Sequence, residues 1–281
     1  MSSSYHPNYF HTIETIDALK ASEGTTVETK FAWGSILINE EFDLQWWNVV
    51  KVDSDKSNYG RLPTEDEVKD NIAEAETYFN KDKRKTFAMM TISEDFSDEL
   101  RKIWEKVLLE KGYEKEESFD NELLVLKIKS KFPVKDPKER NGSYSRKLTV
   151  DDFDNFLNFY NKKFTVVPWR RKRILMEVRQ DNALGGVFAS FTEEGKIVCR
   201  VRIGYFNEHA KVIYGVDTSS SYMRQGHAIE SLKVAINETG AIGDDVYLFV
   251  EKGNEGAEKL YEKLGFTYLG CRTQYTYTKL K

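Results

Sequence analysis

Apolar residues fall into two kinds of period along this chain, and the period changes with position. Val68, Ile72, Ala75 and Phe79 recur at the three-to-four spacing of one helix face. Thr64 stands three residues ahead of Glu67 and directly after Pro63, the pattern of a helix-starting capping box. A second helix is predicted over 97–111, where Leu100, Ile103, Trp104, Val107 and Leu108 share a face and Gly112 supplies the stop. Runs within 43–53 (around Trp46 and Trp47), 86–92 and 123–128 read as strands.

The stretch 131–143 holds two of the five prolines, a glycine and little apolar content, and it predicts an extended linker. Past it, a helix opens at Thr149 or Asp151 and runs through Phe153, Phe156, Leu157 and Tyr160, and a second covers 169–178. The period then shortens. Three strands are predicted over 186–192, 196–206 and 210–218, parted by turns at Glu193-Glu194-Gly195 and Asn207-Glu208-His209. A helix follows from Gly226 or His227 through Ile229, Leu232, Val234 and Ile236 to Gly240. Then come a buried strand at 246–250, a helix at 255–264 ended by Gly265, and one or two closing strands in 266–280. This order predicts an α/β (α+β) fold with a mixed sheet and two domains, 1–140 and 141–281.

Composition narrows the function. With 281 residues, 40% of them hydrophobic and 13% aromatic, the chain has material for two packed cores. The longest apolar runs, such as Leu123–Leu126, fall far short of the ~20 residues of a membrane span. No basic segment followed by an apolar one opens the chain, so no signal peptide is expected. Cys199 and Cys271 form neither a disulfide framework nor a metal-binding pair, and free thiols, a cytoplasmic location and no metal are expected. A net charge of −4 gives no reason to expect nucleic acid. The first half is the more acidic and the second mildly basic, which suits a polyanionic ligand there but also fits ordinary drift of surface charge.

Candidate chemistry sits between the third strand of the second half and its next helix. Thr218-Ser219-Ser220-Ser221-Tyr222-Met223-Arg224-Gln225-Gly226-His227-Ala228 is a polar loop free of acidic residues that runs into a helix N-terminus. Helix N-termini offer N–H groups and a partial positive charge to phosphates, and Gly226 and Ala228 permit close backbone approach. Further on, Asn254-x-x-Ala257-x-x-Leu260-Tyr261-Glu262-Lys263-Leu264-Gly265-Phe266 follows the buried strand.

Together the two segments resemble the GNAT superfamily of N-acetyltransferases: its Q/R-x-x-G-x-G/A pyrophosphate loop and its N-x-x-A-x-x-L-Y-x-x-x-G-F helix. The second motif matches throughout. The first matches at Gly226 and Ala228 but has Met223 where Arg or Gln is usual, with Arg224 next to it. The resemblance covers roughly 145–281. It implies a GNAT fold, with a mostly antiparallel mixed sheet flanked by helices, and acetyl-CoA as co-substrate. The acceptor it implies is a small-molecule or peptide amine, and the protein is expected as a monomer or homodimer without nucleic-acid or membrane partners. It further implies that Arg224, Gln225, Gly226, His227 and Ala228 hold the pyrophosphate, that Val216, Asp217 and Thr218 pair with pantetheine, and that Asn254 sits near pantetheine or an active-site water. Tyr261 is implied as the acid that protonates the leaving thiolate. Asp217 and Glu251 are alternative bases, beside a water chain. For His227 the backbone is expected to matter more than the ring, and His209 to lie on the surface. The Arg170-Arg171-Lys172-Arg173 run fits an acidic acceptor, the CoA 3′-phosphate or a solvated helix face.

Residues 31–128 look like a degenerate second copy, as in tandem GNAT proteins such as mycothiol synthase. An amphipathic helix, a glycine and an aromatic precede a strand at Trp104 to Tyr113 as they do at Tyr261 to Phe266. The equivalent of the phosphate loop is Thr64-Glu65-Asp66-Glu67, whose carboxylates repel an anion, and Trp104 replaces Tyr261. Two other functions compete with acetyl transfer: a non-enzymatic acyl-CoA-binding or interaction protein, and an aminoacyl transferase of Fem type. The latter ranks last because no long charged helical hairpin is inserted.

Overall fold

The computed structural model describes residues 26–39, 48–52, 61–81, 89–93, 97–116, 119–161, 168–179 and 185–279. Two compact units emerge, Met1–Asn121 with Cys271–Lys281, and Glu122–Gly270. The packing divides the chain at 121/122, with the last residues returning to the first unit, whereas the linker had suggested 140/141.

In the first unit, β1 (Thr26–Phe31) and β2 (Gly34–Asn39) form an antiparallel hairpin, and β2 pairs antiparallel with β3 (Val49–Val52). Gly34 is needed at that pairing, since a Cβ there would lie 2.2 Å from the Lys51 carbonyl oxygen. Helix α1 (Glu65–Lys81) carries the chain over to β4 (Met89–Ser93), parallel to β3. The expected box is present: the Glu67 N–H donates to Thr64 Oγ1 at 3.2 Å and the Thr64 N–H to Glu67 Oε2 at 2.7 Å. The side-chain bond from Arg61 and the Thr64 N–H hold the Glu67 carboxyl at about 2. Helix α2 (Asp98–Glu110) starts on a Ser97 cap and leads to β5 (Glu114–Lys115) and β6 (Phe119–Lys127). Val68, Ile72, Ala75, Phe79, Leu100 and Trp104 are all buried in one core with Trp33 and Tyr277. The predicted strand residues Trp46, Trp47 and 86–88 lie outside the described residues.

The sheet of the second unit has the order β6-β11-β10-β9-β8-β7, from β7 (Tyr144–Lys147), β8 (Gly186–Phe191), β9 (Ile197–Asn207), β10 (Ala210–Thr218) and β11 (Asp245–Glu251). Strands β7 to β10 run antiparallel in succession, and β10 and β11 are parallel. The closing strand expected in 266–280 is a single one, β12 (Thr267–Thr278). Helices α3 (Phe153–Asn161) and α4 (Pro168–Arg179) bury Phe156, Tyr160, Ile174 and Val178 against Val187, Ala189 and Phe191 of β8. Helices α5 (His227–Thr239) and α6 (Glu255–Leu264) pack Leu232, Ala235, Tyr261 and Leu264 with Phe188, Val201 and Ile213. Adjacent residues of β8 thus serve opposite cores, as a sheet covered on both faces requires.

The expected linker is part of this second unit. The Lys131 ammonium donates to the Asn237 carbonyl and, at 2.8 Å, to that of Gly240, at the C-terminal end of α5. Phe132 and Asn237 exchange two bonds, N–H to Oδ1 at 2.8 Å and Nδ2 to the carbonyl at 2.9 Å. The Lys135 N–H meets Glu230 at 3.0 Å. Asp136 and Glu139 then close a capping box on the 3₁₀ turn Pro137–Arg140. The segment is a strap along α5, and Asp136-Pro137-x-Glu139 was the signal for its last turn. Among the described residues, no helix is long and apolar enough to cross a membrane.

One buried ion pair locks the β9–β10 hairpin. Lys211, 2% exposed, donates from Nζ to Asp244 Oδ2 at 2.8 Å and to the Glu208 carbonyl at 3.1 Å. Burial opposes the Asp244 charge, but Lys211 and the Ala241 N–H outweigh it and lower the pKa. A carboxylate with a depressed folded pKa contributes stability above its unfolded value, near 3.9, and loses it as pH falls through the folded pKa. Lys211→Met strands a buried charge and should destabilise the protein by about 3–5 kcal/mol at neutral pH in urea unfolding. The deficit should shrink in acid, where Asp244 is protonated in both proteins.

Candidate active site

Between β10 and α5 the chain turns through a loop with no acidic residue. The Ser219 N–H anchors it to the Val198 carbonyl at 2.8 Å, where a bulge in β9 sets Ser190 against Cys199 but Phe191 against Ile197. A 3₁₀ turn, Ser220–Tyr222, follows. Arg224 and Gly226 are then both left-handed, at φ 61 and 84, backbone of the kind from which anion-holding concavities are made. Gly226 is the N-cap of α5 and gives its first turn no side-chain cap, and a Cβ there would meet nothing within 4 Å. The amides of this N-terminus are therefore approachable from the Gly226 side. Met223 is 55% exposed and Arg224 and Gln225 are exposed, whereas Ala228 is half-buried.

The parallel register of β10 with β11 runs from Ala210↔Asp245 to Ile213↔Leu248 and ends there. A bulge at Tyr214 marks the place, and β10 continues to Thr218 in register with β9, Val216 with Val201 and Thr218 with Cys199. The two parallel strands part, and Val216, Asp217 and Thr218 stand beyond the end of their pairing.

Tyr261, on α6, is 6% exposed with its ring edge-on to Phe266 at 5.7 Å. Burial, with added charge from Asp217 and Cys199, pushes its phenol up to about 12. Tyr261 and Asp217 are thus within electrostatic reach of each other. Asp217 is tied to Arg200, which meets Oδ2 through Nε at 2.8 Å and Nη2 at 2.5 Å. The Asp217 carboxylate is thus engaged by a guanidinium. Burial opposes the charge of Arg200, but Tyr160, Glu177 and Asp217 raise its pKa above the usual value. Glu251 is exposed at the end of β11. Asn254 caps α6, its Oδ1 accepting from the Ala257 N–H at 3.3 Å, which explains the Asn-x-x-Ala spacing as a helix start. His209 is exposed, and the side chains of Arg170 and Arg173 lie outside the described residues.

The His227 ring has a place of its own. It is 5% exposed, with Nδ1 at 3.3 Å from Arg140 Nη2 and 3.3 Å from Ser190 Oγ. Arginine only donates, so Nδ1 accepts and the neutral ring carries its proton on Nε2. Burial first, and Arg140 second, lower its pKa and keep it neutral. Arg140, Ser145, Ser190 and Ser231 surround it; they come from four separate segments, so no spacing along the chain announced them. Among the described residues there is no cluster of His, Cys, Asp and Glu able to hold a metal ion.

This geometry agrees with known proteins. Residues 153–266 match the model of the acetyltransferase (GNAT) family. The fold is similar to that of a GCN5-related N-acetyltransferase from Kribbella flavida, with TM-score 0.62, 15% identity and 94% of each chain covered. It is also similar to a functionally unknown conserved protein from Staphylococcus epidermidis, with TM-score 0.61, 14% identity, and 88% of this chain and 92% of that one covered. A GCN5-related N-acetyltransferase from Sphaerobacter thermophilus follows, with TM-score 0.57, 12% identity and coverage of 88% and 81%. No curated protein matches the sequence. The segment that holds the uncapped helix start, the parted strands and Tyr261 thus lies within residues 153–266, the part of the chain that matches the acetyltransferase (GNAT) family model.

Proposed function

We propose that the protein transfers an acetyl group from acetyl-CoA to an amine of a small molecule or peptide, in the cytoplasm, as a monomer or homodimer. The observation that carries this reading is the contrast between two helix starts. The first turn of α1 is closed by Thr64 and by Glu65, Asp66 and Glu67, while that of α5 is uncapped behind Gly226. Only α5 suits a diphosphate. The residues from Arg224 to Ala228 hold it, and the edge of Val216 to Thr218 takes the pantetheine amides where β10 leaves β11.

The chemistry needs an amine that has lost a proton, a stabilised oxyanion and a proton for the departing thiolate. Tyr261 supplies the last. Burial raises its pKa and keeps the phenol protonated, and the same surroundings raise a thiol: that of buried Cys199, whose charge acts on Tyr261, is pushed up to about 11. A phenol is a suitable acid for a departing thiolate of comparable basicity. Asp217, already committed to Arg200, shapes the field more than it takes a proton. Glu251 or a water chain receives the proton of the amine, and Asn254 holds the start of α6 in place.

The first unit is read as a degenerate copy. An antiparallel pair, a parallel crossover through a helix, and a second helix follow one another as β2-β3-α1-β4-α2 and again as β9-β10-α5-β11-α6. Its helix start carries carboxylates, and Trp104 stands where the other copy has Tyr261.

Gly226→Glu should abolish acetyl-CoA binding in calorimetry. The new carboxylate stands beside the diphosphate, and two unit charges 4 Å apart at an effective dielectric near 20 repel by ~4 kcal/mol, about a thousandfold in affinity. Unchanged affinity in the folded variant rules this loop out.

Tyr261→Phe should lower turnover roughly 10²- to 10⁴-fold with little change in acetyl-CoA affinity, since the hydroxyl acts mainly in the transition state. The fall should shrink with a thioester whose thiol leaves more readily. Full activity with chemistry rate-limiting removes Tyr261 as the acid. Equal acetyl-CoA binding with no turnover of any amine by either protein favours a non-enzymatic acyl-CoA-binding protein.

A further inference from the structure

We infer that Arg140, at the end of the strap, is a positioning residue for the diphosphate: a fixed positive charge set beneath the N-terminus of α5. This rests on reading the Gly226 loop as the acetyl-CoA site. Arg140 precedes the segment matched to the family model, so the charge is brought by this chain's own strap.

The reasoning starts from an imbalance. The Arg140 guanidinium donates to Ser145 Oγ at 3.5 Å, Ser190 Oγ at 3.2 Å and His227 Nδ1 at 3.3 Å, and all three partners are neutral. Two other enclosed cations of the same unit, by contrast, meet carboxylates: Arg200 with Asp217 at 2.5 Å and Lys211 with Asp244 at 2.8 Å. Glu230, one turn into α5, acts on Arg140 through space, but its carboxylate is bonded to Lys233 at 2.8 Å and to the Lys135 N–H at 3.0 Å.

Position sharpens the contrast. The strap reaches both ends of α5. At the C-terminal end, Lys131 meets free carbonyls, where a cation is favoured by the helix dipole. At the N-terminal end, Arg140 adds positive charge to the positive pole of the helix, where a cation is disfavoured. Burial opposes it as well. His227, the first residue of α5, accepts from Arg140 at Nδ1 and stays neutral, so it does not offset that charge. An anion at the Gly226 loop relieves both strains at once, because it faces the guanidinium and the helix pole together.

The test compares the full-length wild type with Arg140→Gln and Arg140→Lys, by acetyl-CoA calorimetry at low and high salt and by thermal unfolding without ligand. Arg140→Gln should bind acetyl-CoA roughly 10- to 100-fold more weakly at low salt. The gap should narrow at high salt, and Arg140→Lys should recover most of the affinity. Without ligand, Arg140→Gln should melt no lower than the wild type, because a disfavoured charge has gone. Wild-type affinity in Arg140→Gln overturns the inference. So does a Gln variant that fails to fold, or one that melts lower and loses affinity equally at both salts without rescue by lysine, since the residue is then structural. A wild type that binds no acetyl-CoA overturns the inference together with the reading of the loop; the other outcomes leave that reading standing.

Discussion

The parallel pairing of β10 with β11 over four residues, and its end at Ile213 and Leu248, is the constraint on which the site depends. Parallel neighbours cannot be joined by a tight turn, so the chain must cross over, and α5 is that crossover. A crossover helix begins where its first strand ends. The loop of Ser219 to Gly226, the N-terminus of α5, the unshared edge of β10 and the start of α6 at Asn254 are therefore all assembled at one end of the same two strands. The Tyr214 bulge turns β10 aside at the point where the second pairing stops. Had the pairing continued to Thr218 and Glu251, that edge would be spent on the sheet and the opening closed.

Much of the fold was legible because periodicity and capping report local physics. Thr64 and Glu67 bond as their spacing requires, and α6 begins at Asn254 and stops at Gly265 as expected. Gly226 was read as an open helix start, and its φ of 84 with nothing near a Cβ accounts for the glycine. The strap was misread for a physical reason. Its bonds to α5 are made by backbone groups and by Lys131, Asn237 and Glu230, and such bonds leave no apolar period. Composition alone therefore cannot tell a bonded strap from a solvated linker. The division of the chain was hidden likewise, since residues Cys271–Lys281 pack with the first unit by pairing with β4 and β5, a contact distant in sequence.

For the site residues, the chain's pattern located positions better than roles. Asp217 was read as pantetheine neighbour and as candidate base, and the structure adds that Arg200 holds its carboxylate. Arg200 is the register partner of Asp217 on the neighbouring strand β9, and cross-strand register is not written in local sequence. His227 was expected to act through its backbone, but its ring is buried in the serine and arginine cluster under the loop.

Enclosure ties these features into one chemical environment. The field around Tyr261 is set first by the low polarity of the core formed with Phe266, Leu264 and Val250, and then by Asp217 and Cys199. In such surroundings every group that must become negative is raised together, a phenol to about 12 and a thiol to about 11, so their difference stays small while both stay protonated. Burial of Tyr261 thus does two things at once. It packs α6 against the sheet, and it keeps the phenol protonated.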